Sequence, residues 1–248
     1  MTSSTRSTPS LRLARAIRVL RPLLAGAFGA TAALAATATH AASPVENYAL
    51  AISWEPAFCL TNASKPECQS ETPSRQDNKT FSLHGLWPQN ESYCGVSSAN
   101  KKLDENGDWS QLPAVVLNAS TEAALQVAQP GTMSYLDRHE WIEHGTCSGL
   151  SQRAYFDTIR KARAAVKIPP EYTDLKEPLA VTPGAVEDAF IKANPGLPAD
   201  AIMIGCSRQR LSEVRLCLSK DLQFHDCPDV AKRSCRRDQL VMPPVRGG

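Results

Sequence analysis

The chain has 248 residues, 42% hydrophobic and 21% charged, which is enough to bury a core and too apolar for a disordered or low-complexity protein. Its formal charge of +2 is unevenly placed, because the first 41 residues carry five arginines and no acid. Taking those five from 27 basic residues leaves 22 against 25 acidic ones, a balance of −3. That excludes attachment to nucleic acid by bulk charge, so any work on a polyanion falls to a local site.

Residues 1–41 read as a secretory signal. Arg6 to Arg21 form the basic region, Leu23 to Ala30 the apolar region, and the alanine-rich run to Ala42 supplies small residues for cleavage. The apolar stretch is short and diluted by Ala, Thr and Gly, unlike a membrane anchor. The expected mature unit is residues 42–248, periplasmic or extracellular, with no membrane contact once the signal is removed. All eight cysteines (Cys59, Cys68, Cys94, Cys147, Cys206, Cys217, Cys227 and Cys235) follow the signal. An even count in an exported chain reads as four disulfides, with 105 possible pairings open. No CxxC pair suggests a zinc finger.

In chain order, Tyr48 to Trp54 alternates large and small residues as a half-buried strand does. Residues 59–79 are polar and read as loop. Phe81 to Trp87 alternates again and stops at Pro88. Pro113 to Gln129 reads as a helix broken at Pro130-Gly131. Tyr135 to Cys147 and Gln152 to Lys167 read as two more, the second ended by Pro169-Pro170. Thr182 caps a helix that starts at Pro183 and runs to Asn194. Ala201 to Cys206 and Leu211 to Leu218 are strands, and no linker or repeat divides the chain.

Three of the four histidines after residue 41 fall in two short segments, His84-Gly85-Leu86-Trp87-Pro88 and His139-Glu140-Trp141-Ile142-Glu143-His144-Gly145-Thr146-Cys147. On an α-helix with His139 at zero, Glu143 falls at about 40°, Glu140 at about 100° and His144 at about 140°. Trp141 and Ile142 fall on the other side. One face then presents two imidazoles and two carboxylates. A zincin places its histidines at i and i+4, whereas here they stand at i and i+5, which argues against shared ligation of a metal. No Gly-x-Ser-x-Gly elbow is present. Two imidazoles without a metal suit a reaction in which one takes a proton and another gives one.

Phe81-Ser82-Leu83-His84-Gly85-Leu86-Trp87-Pro88 and the 139–147 segment resemble the two active-site segments of the T2 family of acid ribonucleases, and Leu211 to Cys217 is similar to a strand of that family. The resemblance implies an α+β single domain with a central antiparallel sheet flanked by helices and stapled by disulfides. It implies a metal-independent, cofactor-free, monomeric endoribonuclease acting on RNA and not on DNA, which lacks the 2′-OH. By this likeness His144 is the base for the ribose 2′-OH, and His84 the acid for the departing 5′-oxygen. His139 binds phosphate and Glu140 stabilises the transition state. Trp87 stacks on a base, with Tyr93 as a second wall, and Gln89 in place of an aspartate implies low base selectivity. The same likeness pairs Cys94 with Cys147 and nests Cys217–Cys227 within Cys206–Cys235, with Cys59–Cys68 as the fourth bridge.

Glu143 departs from the pattern, since relatives usually carry lysine there. A carboxylate at this point opposes an RNA phosphate, and beside His139 it favours the imidazolium. The expectation is weaker catalysis with a mildly acidic optimum. The rival reading is an RNA-binding or signalling protein that has lost turnover on the same scaffold.

Overall fold

The computed structural model describes residues 45–245 except Asn90, so the signal segment lies outside the described residues. Six strands form one sheet: β1 (Asn47–Ser53), β2 (Ser82–Pro88), β3 (Leu179–Val181), β4 (Ile202–Ser207), β5 (Arg210–Ser219) and β6 (Leu240–Met242). The order is β2-β1-β5-β6-β3, with β4 on the other flank of β5. All pairings are antiparallel except one bridge, Arg210 to Val241, between β5 and β6. The sheet is thus antiparallel apart from that one bridge, in keeping with the central antiparallel sheet expected. The Cys206–Cys235 bridge returns the chain to the start of β5, and β6 then enters alongside it.

Among the described residues eight α-helical segments accompany the sheet: α1 (Glu55–Cys59), α2 (Pro66–Gln69), α3 (Ser98–Glu105), α4 (Ala119–Ala128), α5 (Leu136–His139), α6 (Gln152–Ala165), α7 (Pro183–Ala193) and α8 (Pro228–Ala231). Tyr155, Phe156 and Ile159 of α6 and Phe190 of α7 pack with Leu50, Ile52, Leu86 and Leu216 of the sheet in one core, all fully buried. Thr182 caps α7, its side chain accepting from the Ala185 amide, with Pro183 in the first turn as expected. Among the described residues no helix is long and apolar enough to cross a membrane.

Several boundaries differ from the sequence reading. The helix expected from Pro113 begins only at Ala119, where Asn118 accepts from the Thr121 amide. The 59–79 loop holds short helical turns at Pro66–Gln69 and Gln76–Lys79. The largest change lies in the expected Tyr135–Cys147 helix. It is α-helical only over α5, continues as a π-helical turn from Glu140 to His144, and ends in a 3-10 turn to Cys147.

The four disulfides are Cys59–Cys68, Cys94–Cys147, Cys206–Cys235 and Cys217–Cys227, the pairing that the resemblance implied. Cys94–Cys147 spans 53 residues and ties the end of the helical turn to the loop after β2. The Tyr93 amide beside it donates to the Glu143 carbonyl at 2.8 Å. Replacing both cysteines by alanine removes a constraint worth about 2–4 kcal/mol. The expected outcome is a lower Tm, and within the folded range faster amide exchange in residues 139–147 than elsewhere. Uniform exchange across the chain refutes a local clamp.

Candidate active site

The site lies where β2 meets the π-helical turn. Ala51 pairs with Gly85 while Ile52 pairs with Leu83, so His84 is the extra residue of a β-bulge. Such a bulge breaks the alternation of the strand and re-aims one side chain. Ala49 and Ala51 of β1 sit between Trp87 and Gly85 on β2 and Cys217 and Arg215 on β5, and their small side chains leave this sheet face open to close packing. At Gly85 a Cβ would stand 2.0 Å from Glu140 Oε2 and 2.6 Å from Trp87 Nε1, so only glycine admits the carboxylate here.

His84 is held on three sides. Its Nδ1 donates to Glu213 Oε2 at 2.7 Å, its Nε2 lies 3.7 Å from Glu140 Oε1, and its carbonyl accepts from the buried Gln129 side chain. Glu213 in turn accepts from Arg215 Nε at 2.5 Å. Glu140 is fully buried and accepts from Trp87 Nε1 at 3.0 Å. Its Oε1 has no hydrogen-bond partner.

The π turn corrects the helical-wheel angles given above. In such a turn residues i and i+5 succeed one another along the same side. His139 and His144 therefore meet, with ring centroids 5.8 Å apart, instead of diverging. Trp87 stands between the two segments, 5.2 Å from the His84 ring and 5.1 Å from the His144 ring. Glu143 Oε2 lies 3.6 Å from His139 Nε2 and 4.0 Å from His144 Nε2, so this carboxylate is inside the cluster.

Three participants escaped the sequence reading. Asp104 on α3 accepts from His139 Nδ1 at 2.9 Å and from the Tyr93 hydroxyl at 2.8 Å. Trp109 stacks on the His139 ring, centroid to centroid 4.6 Å. Glu213 was passed over as a polar residue of a strand. Tyr93 thus joins the site through the carboxylate that orients His139. Trp87, whose indole has Arg215 over it at 4.4 Å, is first of all the anchor of Glu140.

The local fields set the two imidazoles apart. Burial lowers the pKa of His84, but the Glu213 hydrogen bond and the charges of Glu213 and Glu140 outweigh it, and the net shift is upward. His144 is buried and faces the charges of His139, His84 and Arg215, which push it down to about 3. Burial opposes and Asp104 and Glu140 favour the imidazolium of His139, again raised overall. Burial lifts Glu140 to about 7 despite the nearby histidines. At mildly acidic pH one imidazole is a loaded acid and the other a free base, the arrangement from which acid and base roles are read.

Ligand atoms of His139, Glu140 and His144 lie within 4.8 Å of one another, as do those of Asp104, His139 and Glu143. Either group could hold a divalent cation, and the objection from i, i+5 spacing falls with the π turn. Beside His84 a cavity of about 370 Å³ is lined by Ser53, Glu55, Lys65, Glu67 and Trp109 among others.

Glu213→Gln keeps the shape and removes the charge that holds the His84 proton. A group whose pKa a neighbouring carboxylate has raised keeps its proton at low pH and loses it as pH climbs through that value. An NMR titration of the His84 ring is expected to move to lower pH in the variant. An unchanged midpoint refutes the coupling.

The Ribonuclease T2 family profile matches residues 45–227. A ribonuclease of Aeromonas hydrophila is 30% identical over 219 residues, covering 83% of this chain and 88% of that protein. A probable ribonuclease of Haemophilus influenzae is 34% identical over 135 residues, 52% of this chain, and this chain spans about half its length, 46%. In fold the chain is similar to trichomaglin, an S-like ribonuclease, with a TM-score of 0.56 at 17% identity over 81% of this chain and 98% of the other. It is also similar to RNase MC1 solved with 5′-UMP, with a TM-score of 0.52 at 20% identity over 80% and 98%. A profile match across most of the chain, a relative aligned over nearly its full length and a shared fold place this protein in the Ribonuclease T2 family, among the T2-type endoribonucleases.

Proposed function

We propose that the protein is an exported endoribonuclease that cleaves single-stranded RNA without a metal, by attack of the ribose 2′-oxygen on the adjacent phosphate. His144 takes the 2′-OH proton as the 2′-oxygen bonds to phosphorus. His84 gives its Nε2 proton to the 5′-oxygen as that bond breaks, and a 2′,3′-cyclic phosphate remains. Water then opens the ring to a 3′-phosphate with the two proton roles exchanged. The observation that carries this reading is the pair itself: two imidazoles packed against one indole, Trp87, one biased to hold its proton and one to lack it. DNA offers no 2′-OH and is not cut.

His139, fixed by Asp104 and Trp109, is suited to hold a phosphate oxygen. Glu140, buried against Gly85, faces His84 and lends the transition state a proton or a negative pole according to its state. Trp87 and Tyr93 border the site where a base would rest. Gln89 donates its side-chain amide to the Trp87 carbonyl, and with that group engaged we propose low base selectivity. Export is supported by the four disulfides and the N-terminal pattern.

A purified sample incubated with RNA in EDTA separates the readings: cleavage supports the proposal, whereas EDTA inhibition or binding without cleavage overturns it. His84→Ala and His144→Ala each remove one proton transfer, worth about 10²–10⁴-fold in rate. Each is expected to lose at least about 10²-fold in kcat with an unchanged circular dichroism spectrum. His139→Ala is expected to act mainly on KM. Near-normal turnover in either of the first two variants removes that residue from the mechanism.

A further inference from the structure

The transition state of this reaction carries more charge on its phosphoryl oxygens than the RNA does, and a preorganised cation there is among the largest catalytic contributions. The resemblance of the active-site segments implies a lysine at position 143, the residue that relatives usually carry there. Here Glu143 occupies it and lies against His139 and His144. The cation of His139 is already faced by Asp104 and Glu143. The helical turn therefore brings no net positive charge to the phosphate.

The sheet brings one. Arg215 on β5 pairs with Ala51, which pairs with Gly85 on β2, so one row runs from the guanidinium-bearing strand to the backbone beside His84. Between them stand only a methyl group and a glycine. The guanidinium crosses this low ground and lies over the Trp87 ring at 4.4 Å, the same indole that both His84 and His144 approach. Glu213 fixes its Nε, and the Oε2 of that carboxylate holds His84. A guanidinium has five N–H donors, and among the described residues only Nε has a hydrogen-bond partner. The side chain is 28% exposed, so its outer N–H groups remain within reach of a ligand.

We propose that Arg215 is the phosphate-binding cation of this active site, supplied from strand β5 in place of a lysine on the helical turn. A guanidinium held at Nε presents its two outer nitrogens as a fork, the geometry that grips two oxygens of one phosphate. Its charge lies close enough to depress both catalytic histidines, and Glu213 offsets that effect at His84 alone. The guanidinium therefore favours a neutral base at His144 while the acid keeps its proton.

This assignment rests on the RNA-cleavage reading, and two readouts keep them apart. Cleavage of a defined single-stranded oligoribonucleotide is measured for the wild type, Arg215→Gln, Glu143→Lys and the double variant. Binding of inorganic phosphate is measured by calorimetry on the same four proteins. Arg215→Gln is expected to lose about 10²-fold in kcat/KM and to bind phosphate more weakly. Adding Glu143→Lys is expected to restore at least about tenfold, because it returns the cation from the helix; in the wild-type background the same change gains less. A double variant no better than Arg215→Gln shows that Arg215 acts only by holding Glu213, and overturns the proposal. So does an Arg215→Gln protein that binds phosphate as the wild type does. A wild type that binds phosphate through Arg215 but leaves RNA intact overturns the cleavage reading instead. Should Arg215→Gln fail to fold, Arg215→Lys retains the charge and loses the fork. It is then expected to bind phosphate several-fold more weakly than the wild type, and a folded Arg215→Lys protein with wild-type phosphate affinity counts against the proposal.

Discussion

The close approach of the π-helical turn to the sheet is the constraint on which the site depends. Glu140 is pressed against Gly85, where any side chain would collide with its carboxylate. Gly145 makes the corresponding approach on the other side, since a Cβ there would meet Trp141 and Tyr155 at 2.4 and 2.9 Å. Two glycines thus let the turn lie between strand β2 and helix α6 with no spacer. Tyr155 closes the arrangement by donating to the carbonyls of Leu86 and Glu140. His84 and His144 come from strands and turns 60 residues apart in sequence, and this packing is what brings both against one indole.

Charge is distributed so that each catalytic group has a fixed partner and a different bias. Glu213 serves His84, Asp104 serves His139, and among the described residues no carboxylate is hydrogen-bonded to His144. A histidine oriented by a carboxylate resists deprotonation, and one left among cations resists protonation. Glu140 carries an unsatisfied oxygen in a fully buried position, a cost that ordinary packing does not tolerate and that a reacting site can use. The charges of the site are thus held on a fold whose stability is drawn from the apolar core on which α6 and α7 rest.

The motifs that mark the site were legible because their residue types are rare and closely spaced. The strand carrying the first was legible from the pattern of its sequence and its stop at Pro88, although the bulge at His84 breaks its alternation in the fold. Helix α3 was not, since Ser98 to Glu105 offers no apolar stripe; only Ser97, whose side chain accepts from Asn100, marks its start. Asp104 was lost with it. Strands β3 and β6 have three residues each, too few for a period of two to register. Glu213 and Arg215 alternate with Val214 and Leu216, a pattern that ordinarily marks the solvated side of a strand. The small residues Ala51 across from Arg215 and Ser53 across from Glu213 are the sign that this face is covered as well.

The π-helical turn has one more consequence. A π turn is an α-helix into which one extra residue has been fitted, and it is held against its own preference by the surrounding packing. Rewinding the same residues as an ordinary α-helix, with none lost, would turn His144 about 100° away from its place beside His139. His144 would then leave Trp87 even though every functional side chain was still encoded. In this chain the active site is written as much in the winding of a five-residue segment as in the identity of its residues.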